Sequence, residues 1–351
     1  MNNELLELYT DYRISSFGAA TATGLSERVD GTVRHDRVTR VLSERDDTWR
    51  ELWLQVKKAV REIEGDDAVL ICDDTLQDKP WTDESELLCG PFDHGQNRTV
   101  TGLNLLNALY HRGGVSIPVA CRLLRPPIQF CAVATRQVKR ARAVTKNDWV
   151  QDRFLRCGQN RLKFRYVLRD SGFAATGNFA LIRAQGKHVV AMLTANRWVA
   201  LSAADTPQGR FVRVDSLGVA DKQAVCGGLT GVDPDVLLVG RVFTNKDGST
   251  GRLRLVCSDL TCDGEQVAAR YQNRWRVEDS HQALKSNAAL AKSPTRTLRT
   301  QQNPVFMTIC AVFQLERLQM THKLNHFALR AKRYVKAIQH AFSELARLKV
   351  A

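Results

Sequence analysis

The feature that most constrains this chain is segment 270–285, RYQNRWRVEDSHQALK, in which four polar side chains follow a helical spacing. Tyr271, Arg274, Glu278 and Lys285 stand at offsets of 0, 3, 7 and 14 residues. On a helix of about 3.6 residues per turn these offsets fall within one stripe. A phenol, a guanidinium, a carboxylate and an ammonium on one face suit a site that holds a metal ion beside a phosphate group. Glu278 then needs further carboxylates from distant parts of the fold.

Two segments supply those carboxylates at the ends of predicted strands. Segment 68–75, AVLICDDT, is a short apolar run that ends in Asp73 and Asp74, and segment 164–173, FRYVLRDSGF, reaches Asp170 in the same way. A single aspartate at a strand end is more often a turn former than a ligand. The combination of two strand-end aspartates with the helical stripe predicts one cluster of carboxylates.

Such a cluster needs cations, because carboxylates at close range cannot all stay ionised without them. Two Mg²⁺ ions roughly 4 Å apart resolve this repulsion and catalyse in-line phosphodiester displacement. Oxygen ligands also favour Mg²⁺ or Mn²⁺ over zinc. Arg274 and Lys285 are then placed to contact the phosphate backbone of a nucleic acid.

The charge and composition of the chain agree with this chemistry. Its 351 residues carry a formal charge of +14, which favours a polyanionic partner, with nucleic acid ahead of a membrane surface. No apolar run reaches the length of a membrane span, and the N-terminus lacks a signal-peptide pattern, so we expect a cytoplasmic protein. The nine cysteines form no CxxC pair and predict reduced thiols, several of them in the core.

Changes of hydrophobic period divide the chain into four parts. Residues 1–65 are predicted to be helical, 66–186 to form the first part of an α/β core, 187–257 to be an inserted β-rich block, and 258–351 to be helical and basic. The first part is either a small DNA-binding helical unit or a helical cap on the core, and the pattern favours neither. Around Arg112, a Gly-Gly turn predicts a hairpin whose two strands both pair with the strand at 68–75.

The same residues carry a family resemblance. Segment 270–285 resembles the Y-x-x-R-x-x-x-E-(six)-K element of the DDE transposases of bacterial insertion sequences, in the branch named after insertion sequence four. ICDDT resembles the first-strand D-x-[ST] element of that family, and YVLRDSGF resembles its second aspartate element. The resemblance runs from about residue 8 to about residue 320.

The resemblance implies a fold and a set of site residues. The fold is a ribonuclease-H-like mixed α/β sheet flanked by helices, with a β-rich insertion between the second aspartate and the glutamate. Asp73, Asp170 and Glu278 are implied as catalytic residues that hold two Mg²⁺ ions, for which Mn²⁺ can substitute. The DNA-binding residues that it implies are Tyr271, Arg274, Lys285 and Trp198. Trp198 is the only tryptophan of the β-rich block, and core packing is the competing and more common role for it.

The implied function is that of a transposase. Such a protein binds the terminal inverted repeats of its own element as a homodimer, cleaves double-stranded DNA and transfers the exposed 3′ end to target DNA. Two alternatives remain at this point: an inactive or repurposed relative that only binds DNA, and a structure-specific nuclease with the same core. A membrane-surface role is disfavoured, because the basic residues accompany the predicted site instead of one amphipathic helix.

Overall fold

A computed structural model describes most of the chain with side chains. The described residues are 3–16, 18–44, 49–79, 88–89, 92–93, 98–99, 102–124, 128–132, 137–141, 144–202, 204–245, 247–288, 290 and 298–350. Within them the helices are α1 (Asn3–Ser15), α2 (Ala22–Arg28), α3 (His35–Glu44), α4 (Trp49–Ile63), α5 (Lys146–Gln159), α6 (Thr176–Ala184), α7 (Gly264–Gln272), α8 (Arg276–Ser286), α9 (Leu298–His322) and α10 (His326–Val350).

The strands of the same ranges form one large sheet and two small hairpins. The strands are β1 (Val69–Asp78), β2 (Leu88–Cys89), β3 (Phe92–Asp93), β4 (Arg98–Thr99), β5 (Gly102–Arg112), β6 (Val115–Leu123), β7 (Ile128–Ala132), β8 (Gln137–Ala141), β9 (Tyr166–Arg169), β10 (His188–Met192), β11 (Trp198–Ala200), β12 (Val212–Arg213), β13 (Ala224–Leu229), β14 (Val232–Thr244) and β15 (Thr250–Cys257). Short 3₁₀ turns occur at Ser171–Phe173, Val214–Ser216 and Asn273–Trp275.

The large sheet has eleven strands and is organised around β1. Its order is β12-β11-β13-β14-β15-β10-β9-β1-β5-β2, with β6 also paired to β5. β1 pairs antiparallel with β5 and parallel with β9, and β9 pairs parallel with β10. The first residues of β1 are buried on both faces, which explains its continuous apolar run VLIC. This mixed sheet with helices against it is the predicted ribonuclease-H-like α/β fold.

The predicted hairpin is present, with one correction to its pairing. Gly113 and Gly114 have φ angles of 59° and 82°, a left-handed pair that suits a tight two-residue turn between antiparallel strands. β5 pairs with β1, but β6 pairs only with β5 among the described strands. The expectation that both hairpin strands contact β1 was therefore wrong, because β9 occupies the other edge of β1.

The predicted β-rich block at 187–257 is present as β10–β15, and it is hydrogen-bonded into the same sheet as β1. β10 continues the parallel part of the core, and β15 and β14 follow it in antiparallel order. No separate sheet forms for this block in the described part of the chain. The division of the chain into four domains stays a prediction.

The N-terminal helices pack onto the core as a helical cap. Val38 on α3 and Val56 on α4 are buried and belong to the main hydrophobic cluster, in which α9 and β6 also take part. The outer side of α3 presents Arg37 and Arg40 to solvent. Packing of this kind agrees with the cap interpretation, while direct DNA binding by residues 1–65 stays a prediction.

The cysteines with described side chains are unpaired, as predicted, but not all of them lie in the core. All eight whose side chains are described are free thiols. Cys72, Cys257 and Cys310 are buried, whereas Cys131 and Cys226 are exposed. Several of the described cysteines thus lie in the core, as predicted, while these two do not. None of the helices in the described ranges is long and apolar enough to cross a membrane.

Candidate active site

The two predicted aspartates lie at the same edge of the sheet, on neighbouring parallel strands. Cys72 of β1 is the register partner of Arg169 of β9, so Asp73 and Asp170 are the next residues along each strand. Asp73 is still within β1 and is only 7% exposed. Asp170 caps the 3₁₀ turn that follows β9, where its carboxylate accepts a hydrogen bond from the Ser171 amide. The strand order thus brings the two carboxylates together.

Alternation along β1 sends Asp73 and Asp74 to opposite faces of the sheet. Asp73 shares its face with Val69 and Ile71, which pack in one cluster with Val277 of α8. Asp74 points to the other face, where the Lys146 Nζ of α5 lies 2.6 Å from its Oδ2. Only Asp73 therefore faces the helix that carries Glu278.

The predicted single helix over segment 270–285 is divided in the structure. α7 ends at Gln272, a 3₁₀ turn spans Asn273–Trp275, and α8 begins at Arg276. The first two members of the stripe are buried: Tyr271 is 4% exposed and Arg274 is 9% exposed. The expected common face is present for the first three members of the stripe, because the Arg274 guanidinium lies 5.8 Å from the Tyr271 ring and donates to Glu278.

Arg274 is the centre of the charged cluster. Its Nη1 donates to Asp73 Oδ2 at 2.8 Å and to Glu278 Oε1 at 3.3 Å, so one guanidinium joins a strand carboxylate to a helix carboxylate. Although burial lowers the pKa of Arg274, the nearby Tyr271, Asp73, Glu278 and Asp170 raise it above its ordinary value. The arginine thus stays cationic and neutralises part of the acidic charge around it.

Opposite pKa shifts distinguish the two carboxylates that Arg274 joins. Burial raises the pKa of Asp73 to about 6, although His281 and Arg274 act in the opposite direction. His281 contributes most to lowering the pKa of Glu278, partial burial opposes that shift, and Arg274 adds to it. His281 Nδ1 lies 3.9 Å from Glu278 Oε2, beyond hydrogen-bonding range. At neutral pH both carboxylates are available as anions.

Comparison with known families agrees with this arrangement. A family model described as "DDE superfamily endonuclease" matches residues 3–210, and one described as "Transposase DDE domain" matches residues 131–314. Each match covers more than half of the chain. The chain belongs to the DDE transposase superfamily. The first match includes the helices α1–α4, so the family model covers this helical part of the chain. No curated protein matches the sequence.

The carboxylates of this DDE superfamily member are of the chemical type that binds a divalent metal ion, but they do not surround one common position in this structure. Asp73, Asp170 and Glu278 offer the hard oxygen ligands that Mg²⁺ and Mn²⁺ prefer. Across the described ranges, no group of three or more His, Cys, Asp or Glu residues is placed to hold a metal ion. The Arg274 guanidinium stands between Asp73 and Glu278, so joint metal binding by these two residues requires the guanidinium to move.

Two predicted DNA contacts are on the surface. Trp198 begins β11 and is 51% exposed, so the interpretation that it packs in the core was wrong. Lys285 is exposed near the end of α8. Tyr271 is different, since its ring lies in the apolar cluster beneath α7, and burial raises the pKa of its hydroxyl to about 12. Contact with DNA stays a prediction for these residues and for Arg274.

The sequence interpretation missed two buried polar residues beside Asp73. His281 is 4% exposed and lies one helical turn after Glu278. This spacing is visible in the sequence and could have indicated that the two side chains are neighbours. Asn107 of β5 is the register partner of Asp73, is 5% exposed, and has no hydrogen-bond partner at either side-chain atom. Directly opposed residues of an antiparallel pair face the same side of the sheet. The sequence does not indicate that Asn107 lies beside Asp73, because this depends on how the hairpin strand β5 pairs with β1.

Proposed function

We propose that this protein is a transposase that binds the terminal inverted repeats of its own insertion sequence, cleaves the DNA there and transfers the strands. Asp73, Asp170 and Glu278 are its proposed catalytic residues. The observation that carries the proposal is the placement of Asp73 and Asp170 at adjacent ends of parallel strands, with Glu278 joined to Asp73 through Arg274. Membership of the DDE superfamily supports nuclease chemistry of the transposase type. The Y-R-E-K spacing of segment 270–285 supports assignment to the insertion-sequence-four branch.

The three carboxylates are the proposed ligands of two Mg²⁺ ions, with Mn²⁺ as a substitute. When bound, these ions supply an activated oxygen nucleophile and stabilise the charge on the leaving oxygen. Arg274 holds Asp73 and Glu278 together in the absence of DNA, because its cation offsets their repulsion. When the guanidinium leaves that position, its fork of donors suits a DNA phosphate. His281 stays beside Glu278 and favours its ionised form.

Double-stranded DNA is the proposed partner, and the proposed assembly on paired ends is a homodimer. The formal charge of +14 supports a polyanionic ligand. Lys285 lies on the helix that carries Glu278, and it is proposed to contact the phosphates next to the scissile bond. Trp198, exposed on β11, is available to stack on an unpaired base. Tyr271 is proposed to reach DNA only if the 3₁₀ turn before α8 rearranges.

The substitution Glu278→Gln tests the catalytic assignment. We expect the variant to bind terminal-repeat DNA as the wild type does, but to cleave it about 10³-fold more slowly, since several kcal/mol of charge stabilisation are lost. Gel-shift and strand-cleavage assays measure the two properties separately. Asp279→Asn is the matched control, because Asp279 is the neighbouring acid of α8 and its side chain is 68% exposed. Cleavage by the Glu278 variant at the wild-type rate would overturn the assignment.

The same assay separates the two alternatives. Wild-type protein is first bound to DNA in EDTA, and Mg²⁺ or Mn²⁺ is then added. Cleavage restricted to terminal-repeat ends supports the transposase, whereas cleavage of any branched or mismatched DNA supports a structure-specific nuclease. Binding with no cleavage under either metal supports a relative that only binds DNA.

A further inference from the structure

Buried polar atoms without hydrogen-bond partners gather around Asp73. Asn107 of β5 is directly opposite Asp73 in the β1–β5 pair and is 5% exposed. In the part of the chain that the structure describes, neither Nδ2 nor Oδ1 of Asn107 has a hydrogen-bond partner. His281 Nε2 of α8 and Arg274 Nε of the 3₁₀ turn before it are buried without one as well. Because an unpaired buried polar group costs free energy, this concentration at the candidate active site requires a physical reason.

The hydrogen bonds that Asp73 accepts explain why the Asn107 carboxamide is unused in this state. Asp73 Oδ1 accepts from the Asp74 amide at 2.8 Å, and Asp73 Oδ2 accepts from Arg274 Nη1 at 2.8 Å. Directly opposed residues of an antiparallel pair have Cβ atoms about 4.5–5.5 Å apart, so the Asn107 carboxamide is within reach of the Asp73 carboxylate. Each carboxylate oxygen already has a donor, and the donor at Oδ2 is the guanidinium.

Joint metal binding by Asp73 and Glu278 requires the guanidinium to move, and Asp73 then loses one of these donors. A carboxylate that holds a metal ion is itself oriented by hydrogen bonds from its neighbours. Asn107 Nδ2 is a neutral donor beside Asp73, and unlike Arg274 it brings no positive charge that would compete with the metal ion. We propose that Asn107 is a positioning residue, whose carboxamide donates to the Asp73 carboxylate in the metal-bound state and fixes its orientation. The inference rests on the proposed function, which makes Asp73 a metal ligand.

A positioning role and a purely structural role predict different effects of Asn107→Leu, which keeps a similar side-chain volume and removes the polar atoms. If Asn107 only stabilised the fold, the variant would be less stable than the wild type. If Asn107 waits unpaired for the metal-bound state, the variant removes an unsatisfied buried amide and keeps or gains stability in metal-free protein. The same variant should then lose metal affinity, because Asp73 has no carboxamide beside it to hold its carboxylate.

Titration of the full chain with Mn²⁺ alone, followed by electron paramagnetic resonance of the free ion, tests the inference. The site is defined as the Mn²⁺ binding that Asp73→Asn removes. At this site Asn107→Leu should raise the dissociation constant about 10–100-fold. The cost of moving the guanidinium is common to both proteins, so the ratio reports on Asn107. Asn107→Ser retains a hydroxyl donor and should recover part of the affinity. Urea unfolding in EDTA should give Asn107→Leu a midpoint at or above that of the wild type.

Asn104→Leu is the matched control. Asn104 lies on the same strand, is 4% exposed and has a buried Oδ1 without a partner in the described ranges, but it stands three residues before Asn107 and so faces the opposite side of the sheet. This variant should bind Mn²⁺ as the wild type does.

Two results overturn the inference alone: equal Mn²⁺ affinity in the wild type and Asn107→Leu, or a lower urea midpoint for Asn107→Leu in EDTA. A wild type without Mn²⁺ binding that depends on Asp73 overturns the inference together with the metal assignment. Neither DNA nor cleavage enters these measurements. Failure of the inference alone leaves the Mn²⁺ site of the wild type and the cleavage defect of Glu278→Gln in place, so it is distinguishable from failure of the transposase assignment.

Discussion

At the scale of single residues, the alternation of β1 decides which of two adjacent aspartates belongs to the site. Asp73 contacts Arg274, whereas Asp74 contacts Lys146 on the opposite face of the sheet. We expect Asp73→Asn to reduce cleavage about 10³-fold and Asp74→Asn to leave it within about tenfold of the wild type. Separate cleavage assays on terminal-repeat DNA measure both. Full activity in the Asp73 variant with none in the Asp74 variant would move the site by one residue.

The raised pKa of Asp73 also predicts how stability changes with pH in metal-free protein. Burial raises this pKa to about 6, compared with about 3.9 in an unfolded chain. The folded state then holds a proton that the unfolded state has lost, so its stabilising contribution is complete below about pH 4 and is lost as pH rises through 6. A shift of about two pKa units corresponds to about 3 kcal/mol.

Urea unfolding in EDTA provides the measurement. The stability of Asp73→Asn relative to the wild type should rise by up to about 3 kcal/mol between pH 4 and pH 7, because the variant has no proton to lose. Parallel pH profiles for the two proteins would contradict the raised pKa of Asp73.

At the scale of elements, the break between α7 and α8 decides the geometry of the site. Residues 273–275, NRW, contain no glycine or proline, so local sequence does not mark the break. Tertiary contacts explain it, since Arg274 turns inward to reach Asp73 while Trp275 stays 56% exposed. Packing also restricts the first residue of α7 to glycine, because a Cβ at Gly264 would lie 1.8 Å from the carbonyl oxygen of Lys222.

The capping box of α7 gives a stability prediction. The Asp263 carboxylate accepts from Gln266 N at 2.7 Å, and the Gln266 side chain accepts from Asp263 N at 3.3 Å. Asp263→Ala should lower the free energy of unfolding by about 1 kcal/mol. Thermal or urea unfolding checks this value. Glu265→Ala, in the same first turn with a side chain that is 74% exposed, should change stability by no more than about 0.5 kcal/mol.

At the scale of the whole molecule, Glu316 of α9 connects three parts of the chain. It is 5% exposed, accepts from Ser116 N of β6 at 2.6 Å, and lies 2.9 Å from His326 Nε2 at the start of α10. The contact therefore links the β5–β6 hairpin of the sheet to the C-terminal helices. The carboxylate thus helps to set the direction of α10.

Replacing this carboxylate should weaken the whole fold. Glu316→Ala leaves the half-buried Ser116 amide without its acceptor, so we expect a loss of about 1–3 kcal/mol in the free energy of unfolding. Urea unfolding measures the loss, with Arg317→Ala as an exposed control on the same helix. A variant as stable as the wild type would show that Ser116 and His326 find other partners.

Local patterns determined much of this protein by themselves. The strand at 68–75, the hairpin turn at Gly113 and the strand end at Asp170 follow from hydrophobic period and turn residues, which are properties of a few consecutive amino acids. The family resemblance selected Asp73 over Asp74, and the tertiary structure agrees, because Asp73 faces α8. Tertiary structure alone decided that Arg274 turns inward and that the β-rich block joins the core sheet. It also decided that Trp198 is exposed. The physical reason is that burial, register and charge pairing depend on neighbours distant in sequence, which no local pattern specifies.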